Sequence, residues 1–192
     1  MRLILASGSP RRAEILRNAG FSFEVCPAHV DESLRPNESA AAYVLRLAES
    51  KAESVAGRVK PPDAALVMGA DTTVVCAGEI LGKPGDAAEA VEMLRKLSGA
   101  AHEVLTGLAI INTLTKERAL HVETTRVTFL ALSPEEIDRY IATGEPFDKA
   151  GGYGIQGIGG RFVSRIEGCY FNVMGLPLSK TWQMLRQVGW RE

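Results

Sequence analysis

Residues Ala64 to Ala70 read Ala-Ala-Leu-Val-Met-Gly-Ala, an almost wholly apolar run with Asp71 directly after it. A strand that is apolar at every position has no face to give to water, so this run belongs at the centre of a sheet covered on both sides. Thr72 to Cys76 continue with β-branched residues, and Ala77-Gly78 reads as a turn. The rest of the chain must supply the covering layers.

The flanking segments fit that demand. Leu3 to Ala6 reads as a short buried strand, and Ser9-Pro10 as a helix start with Ser at the N-cap and Pro at the first helical position, the helix running to Gly20. Phe21 to Cys26 reads as a strand and Pro27 to Pro36 as a polar loop; a long helix then opens at Asn37 or Ser39 and runs toward Gly57, with Pro61-Pro62 closing the unit. Beyond the central run, Ile80 to Lys83 reads as a returning strand, Asp86 to Leu97 as an amphipathic helix, and Val104 to Thr113 and Val122 to Leu130 as strands. Ser133-Pro134 opens a helix ended near Gly144, Asp148 to Gly160 is a Gly-rich loop, and Leu178 to Val188 forms the last helix. Strands alternating with helices predict a mixed α/β fold, its sheet partly antiparallel and flanked by helices.

At 192 residues and 46% hydrophobic, the chain can bury a substantial core and fits a single domain, 1–192, or one domain with a small lobe. Its 22 basic and 23 acidic residues leave a net charge of -1, which gives no electrostatic reason to expect a nucleic-acid or membrane-surface binder, so anion binding must be local. Cys26, Cys76 and Cys169 are scattered and odd in number, without C-x-x-C spacing; a reducing cytoplasm suits them better than a disulfide framework. The apolar run after Met1-Arg2 is too short for a signal sequence, and no segment approaches membrane-spanning length.

Several constellations carry candidate chemistry. Ser7-Gly8-Ser9-Pro10-Arg11-Arg12 lies between strand and helix, where backbone N–H groups and the helix dipole converge. It reads either as an anion cradle or as an ordinary capped helix; two Arg residues oppose the dipole unless an anion compensates, which favours the cradle. Asp71 reads as a carboxylate at the carboxyl end of the apolar Ala64 to Ala70 run, able to hold Mg²⁺ or accept a proton from water, or else as a turn-former. Lys51 shares one helical face with Val44, Leu47, Ala48 and Val55, so its ammonium either snorkels out or meets an anion. Glu32, in a polar loop, would complete a carboxylate pair with Asp71 for a divalent cation.

Two glycine motifs fail their usual tests. Gly78 to Pro84 has one residue too few for a P-loop and puts Pro84 where a hydroxyl is needed, leaving Lys83 as a phosphate contact or a solvated turn lysine. Gly152-Tyr153-Gly154-Ile155-Gln156-Gly157 satisfies G-x-G-x-x-G but has no apolar strand before it and no helix after it. Its glycines either admit a ligand close to the backbone, with Gln156 offering a carboxamide to a pyrimidine edge, or form a structural turn. His29, His102 and His121 are isolated, and Trp182 and Trp190 read as core packing.

Taken together, Leu5 to Arg12, Gly69-Ala70-Asp71-Thr72, Leu81-Gly82-Lys83-Pro84 and Asp148 to Gly157 closely resemble the Maf family of nucleotide pyrophosphatases. Tyr153 to Gly157 resembles the branch acting on dTTP and UTP, with Gly152 where Ala is commoner. The resemblance implies two lobes around a nucleotide cleft (Maf/ITPase-like), a homodimer, and hydrolysis between the α- and β-phosphates of a nucleoside triphosphate. It implies Asp71 as general base, with Glu32, Lys51 and Lys83 in the active centre. Arg11, Thr72 and Gln156 become specificity positions; Ser7, Ser9 and Arg12 are placed with them as substrate-binding residues. On that basis Mg²⁺ or Mn²⁺ is held by Glu32 and Asp71. The rival reading is a nucleotide-binding regulator of septum formation with little turnover.

Overall fold

The computed structural model describes residues 1–60 and 62–191. In chain order the elements are β1 (Arg2–Leu5), α1 (Pro10–Asn18), β2 (Glu24–Val25), α2 (Ala40–Ala56), β3 (Ala65–Cys76), β4 (Glu79–Leu81), α3 (Ala87–Leu97), β5 (Ala101–Asn112) and β6 (Arg118–Phe129). They continue with α4 (Pro134–Ile141), 3-10 turns over Glu145–Asp148, Ala150–Gly152 and Ile158–Phe162, then β7 (Val163–Glu167), α5 (Tyr170–Val173) and α6 (Leu178–Gln187). The strands are hydrogen-bonded in the order β2-β1-β3-β5-β6-β7, with β4 joined to β3. β1 is parallel to β2 and β3, whereas β4 is antiparallel to β3 and β7 antiparallel to β6. The mixed, partly antiparallel α/β expectation is met.

The chain divides into two compact units: Met1–Asp71 with Thr106–Glu123 and Gly175–Glu192, and Thr72–Leu105 with Thr124–Met174. β3 passes from the first to the second between Asp71 and Thr72. In the first unit, Ala65 to Ala70 of β3 are all buried, as their composition demands. Ile4, Ala6, Ala48, Ala52, Val67 and Ala109 pack together there, burying α2 against the sheet. α2 begins where Ser39 Oγ accepts a hydrogen bond from Ala42 N at 3.2 Å and stops at Gly57. Its backbone lies so close to β5 that a Cβ added at Gly107 would be 2.2 Å from the Val44 carbonyl oxygen.

Several boundaries differ from expectation. α1 stops at Asn18, because Gly20 turns into the left-handed region at φ +83°. β2 contracts to two residues, since β1 ends after offering Ile4 and Leu5 as partners. β7 was not expected: Val-Ser-Arg-Ile-Glu is a mostly exposed strand, too polar to signal itself by alternation. The four-residue α5 is too short for a helical period to show. Asp148 to Gly160 holds 3-10 turns rather than open loop, and of the Pro61-Pro62 pair expected to close the α2 unit, Pro61 lies outside the described residues. No helix among the described residues is long and apolar enough to cross a membrane.

The second unit packs Val74, Leu94, Val104, Phe129, Tyr140, Tyr153 and Phe162 around its own core. His102 stands edge-on to Phe129 and Tyr153, its Nε2 2.8 Å from the Tyr153 hydroxyl and its Nδ1 buried with no hydrogen-bond partner among the described residues. Burial lowers its pKa from 6.5 to about 4. The unfolded chain therefore binds a proton between those values that the folded chain refuses, so this contribution is complete above pH 6.5 and is lost as pH falls toward 4. We expect the urea-unfolding advantage of the wild type over His102→Gln to shrink by roughly 3 kcal/mol from pH 7 to 4. An advantage independent of pH would show that His102 is not buried neutral.

Candidate active site

β1 determines where the N-terminal turn leaves the sheet. Ala6 N donates to Met68 O at 2.7 Å, after which the chain turns through Ser7 and Ser9 into α1. Asp71 follows the apolar run directly, and β3 runs on through it to Cys76, in line with the β-branched residues after it. It is the parallel neighbour that ends, with Leu5 registered on Met68, so Asp71 emerges beyond the carboxyl end of β1. In α/β sheets ligands gather past the carboxyl ends of strands, and the strand whose carboxyl end Asp71 lies beyond is β1, not β3.

Lys51 does not snorkel. It is buried on α2, and its Nζ lies 2.7 Å from Asp71 Oδ1 and 2.6 Å from Glu32 Oε1. Taking a Lys charge out of water costs several kcal/mol unless it is paired, and the two carboxylates supply that pairing. Glu32 is delivered by a loop that α2 itself secures: the Tyr43 hydroxyl donates to Glu32 O at 2.9 Å, and Arg46 Nη2 donates to Ser33 O at 3.0 Å. Arg46 also grips Glu38 at 2.6 and 2.7 Å, holding that carboxyl down to about 2. Burial raises the Tyr43 hydroxyl above its ordinary value, and the nearby charges of Asp71 and Glu32 raise it further.

The two arginines differ. Arg12 is buried, donating from Nε to Gly175 O at 2.7 Å and from Nη1 to Ser7 Oγ at 2.9 Å. Burial pulls its pKa below the usual value, Asp71 opposes that pull, Arg11 adds to it, and Glu32 opposes it. Arg11 is only half-buried. Ser9 occupies the N-cap position of α1 but makes no side-chain cap, a correction to the expected one; Ser7 Oγ instead accepts from Ser9 N at 3.3 Å. Thus Ser7 Oγ already accepts two hydrogen bonds, which leaves its proton as the group it can donate.

In the second unit, half-buried Thr72 opens its part of β3, and exposed Lys83 follows β4. Gly151 N donates to Gly82 O at 2.9 Å, placing the Lys83 turn beside the Gly-rich segment. Gln156 is exposed on that segment. Gly151 and Gly152 both have positive φ, +68° and +70°, so the second Gly of the pair suits its backbone. The close approaches made by Gly154 and Gly157 are to Lys149 and Glu145 of the chain itself.

The sequence profile of a family described as Maf-like protein matches residues 2–188. The chain belongs to the Maf family. Its relatives include the dTTP/UTP pyrophosphatase of Anaeromyxobacter sp., 51% identical over 98% of this chain and 90% of the relative. The dTTP/UTP pyrophosphatases of Hahella chejuensis and Desulforamulus reducens are 50% and 49% identical, over 98% and 97% of this chain and 92% and 96% of theirs. A solved nucleoside-triphosphatase / dITP/XTP pyrophosphatase from Mycobacterium abscessus superposes at TM-score 0.39 and 16% identity, covering 75% of this chain and 95% of that one.

Within this Maf-family chain the structure also shows residues that sequence reasoning missed. Tyr43, Leu47 and Lys51 stand at i, i+4 and i+8 along α2, a spacing that puts the phenol on the lysine's face. That signal was present. The Gly175 carbonyl that anchors Arg12 is 163 residues away, and nothing local announces it.

Proposed function

We propose that the chain hydrolyses UTP and dTTP between the α- and β-phosphates, releasing the nucleoside monophosphate and pyrophosphate. The observation that carries this reading is the buried Lys51 ammonium bridging Asp71 and Glu32. It holds a carboxylate firmly beside an N-terminal turn that carries two arginines. The names of the relatives, at about half identity over nearly the full chain, support the choice of substrate.

Glu32 and Asp71 converge on one cationic nitrogen, and paired carboxylate oxygens completed by water and phosphate oxygens are the donor set that Mg²⁺ or Mn²⁺ takes. The residues therefore fit such an ion, with these two as its protein ligands. When bound, it would offset phosphate charge and favour displacement at phosphorus. Among the described residues no three His, Cys, Asp or Glu side chains form a metal group of their own.

The chain's own residues then act as follows. Lys51 fixes Asp71 through Oδ1, leaving Oδ2 to orient the attacking water and take its proton. The water oxygen bonds to the α-phosphorus, the bond from that phosphorus to the bridging oxygen breaks, and pyrophosphate departs. Arg11, Lys83 and the Ser7 and Ser9 hydroxyls meet the phosphates, and Arg12 holds Ser7 in place. Thr72 and Gln156 read the uracil or thymine edge.

Incubating the protein with Mg²⁺ and a nucleotide panel, with products separated chromatographically, tests the reading. UMP with pyrophosphate is the expected outcome, stopped by chelator. UDP with orthophosphate would overturn the bond choice, and tight binding without turnover would favour a regulator.

A further inference from the structure

Glu145 takes no part in the chemistry above, yet its carboxylate is held by backbone. Oε2 accepts from Ile158 N at 2.8 Å, while Oε1 accepts from Gly159 N at 3.1 Å and from the Tyr140 hydroxyl at 3.0 Å. Successive N–H groups closing on an anion form a concave nest, and here the anion is the protein's own. Burial pushes the Glu145 carboxyl up, but hydrogen bonds from Gly159, Ile158 and Tyr140 outweigh it, and the group ends below its ordinary value.

The glycines beside Gln156 are shaped to the same segment. A Cβ at Gly157 would lie 2.5 Å from Glu145 Oε1, and one at Gly154 would lie 2.6 Å from Lys149 Cε. Lys149 in turn donates to Glu145 O at 2.7 Å and pairs with Asp148. Gln156 is thus carried between two contacts, one on the Lys149 stem and one on the Glu145 carboxylate, with its own side chain exposed.

We infer that Glu145 is a positioning residue for base selection, its carboxylate acting as the internal template on which the Gln156 segment is moulded. This rests on the proposed role of Gln156 in reading the pyrimidine edge. A flexible glycine segment would present the carboxamide in many orientations, and a hydrogen-bonding reader discriminates only if its direction is fixed. Glu145 fixes it by spending both carboxylate oxygens on the backbone just past Gln156.

Glu145→Gln keeps the size but offers one acceptor oxygen and an NH₂ group, so one of the two backbone N–H donors meets another donor. The expected result is a higher KM for UTP with a smaller change in kcat, and a fall of about tenfold in the UTP-over-CTP ratio of kcat/KM. Because the effect passes through Gln156, it should largely vanish when E145Q is introduced into Q156A. Should E145Q not fold, Gly157→Ala, which displaces the carboxylate without removing it, is expected to lower the same ratio. If Q156A lowers the ratio but E145Q and G157A leave it unchanged, or if E145Q weakens UTP and CTP equally, the templating role is wrong while the base-reading role stands. A Q156A enzyme with the wild-type ratio would instead overturn the base-reading role, and this inference with it.

Discussion

Asp71→Asn is expected to leave the protein folded and able to bind UTP, and to lower kcat by about 10³-fold. Asn is close to Asp in shape, and its carboxamide oxygen can still accept from Lys51, whose ammonium lies 2.7 Å from Asp71 Oδ1. The amide cannot take a proton from water. The loss should therefore appear in kcat and in kcat/KM alike, the pattern of an interaction made only in the transition state. Pyrophosphate release gives kcat, and calorimetry with a non-hydrolysable UTP analogue gives binding. Glu32→Gln should cost less, since the Glu32 side chain is 57% exposed against 13% for Asp71, while the Tyr43 hydroxyl holds the Glu32 backbone carbonyl and so keeps the loop in place. An Asp71→Asn enzyme with full activity would remove Asp71 from proton transfer. One restored by raising the Mg²⁺ concentration would assign Asp71 to holding the ion and not to the base role.

The fold was legible wherever burial imposes a pattern. The apolar run before Asp71 had to be a central strand, and Ala65 to Ala70 are buried at every position. Lys51 on an apolar helical face had to snorkel or be paired, and pairing is what the structure shows. The identity of its partners was less legible, because Asp71 lies 20 residues further along the chain and Glu32 reaches it only through a loop secured by Tyr43 and Arg46. Neighbouring residues on a helix differ by about 100° in direction, so nothing in the pair Arg11-Arg12 reveals that Arg12 turns inward to Ser7 and Gly175. Likewise, glycines signal close approach without saying to what. The expectation for Gly154 and Gly157 was a ligand or a plain turn, and the approach observed is to Lys149 and Glu145. β7 was invisible because an edge strand with solvent on most of its surface needs no apolar alternation.

Gly69→Ala should have the largest effect on stability, and it should abolish activity by moving a residue that is not itself altered. A Cβ at Gly69 would lie 2.1 Å from the Ala48 carbonyl oxygen and 2.7 Å from Ala52 N, both backbone atoms of α2 that cannot rotate aside. Relief requires the helix to lift from β3, opening the contact made by Ala48 and Ala52 in the core. Overpacking of this kind costs about 3 kcal/mol or more, which for a chain of this size lowers Tm by roughly 6–12 °C. Lys51 sits between Ala48 and Ala52 on the same helix, and Asp71 points from the same face of β3 as Gly69. The displacement that relieves the clash therefore separates Lys51 from Asp71, so kcat should fall even well below the new Tm. Gly57→Ala provides the contrast: among the described residues its added Cβ meets Glu53 O alone, at 3.4 Å, and both Tm and kcat should stay near wild type. A Gly69→Ala protein that melts with the wild type would mean that α2 can shift without cost. The ion pair would then owe its geometry to something other than the contact of helix and strand at glycine.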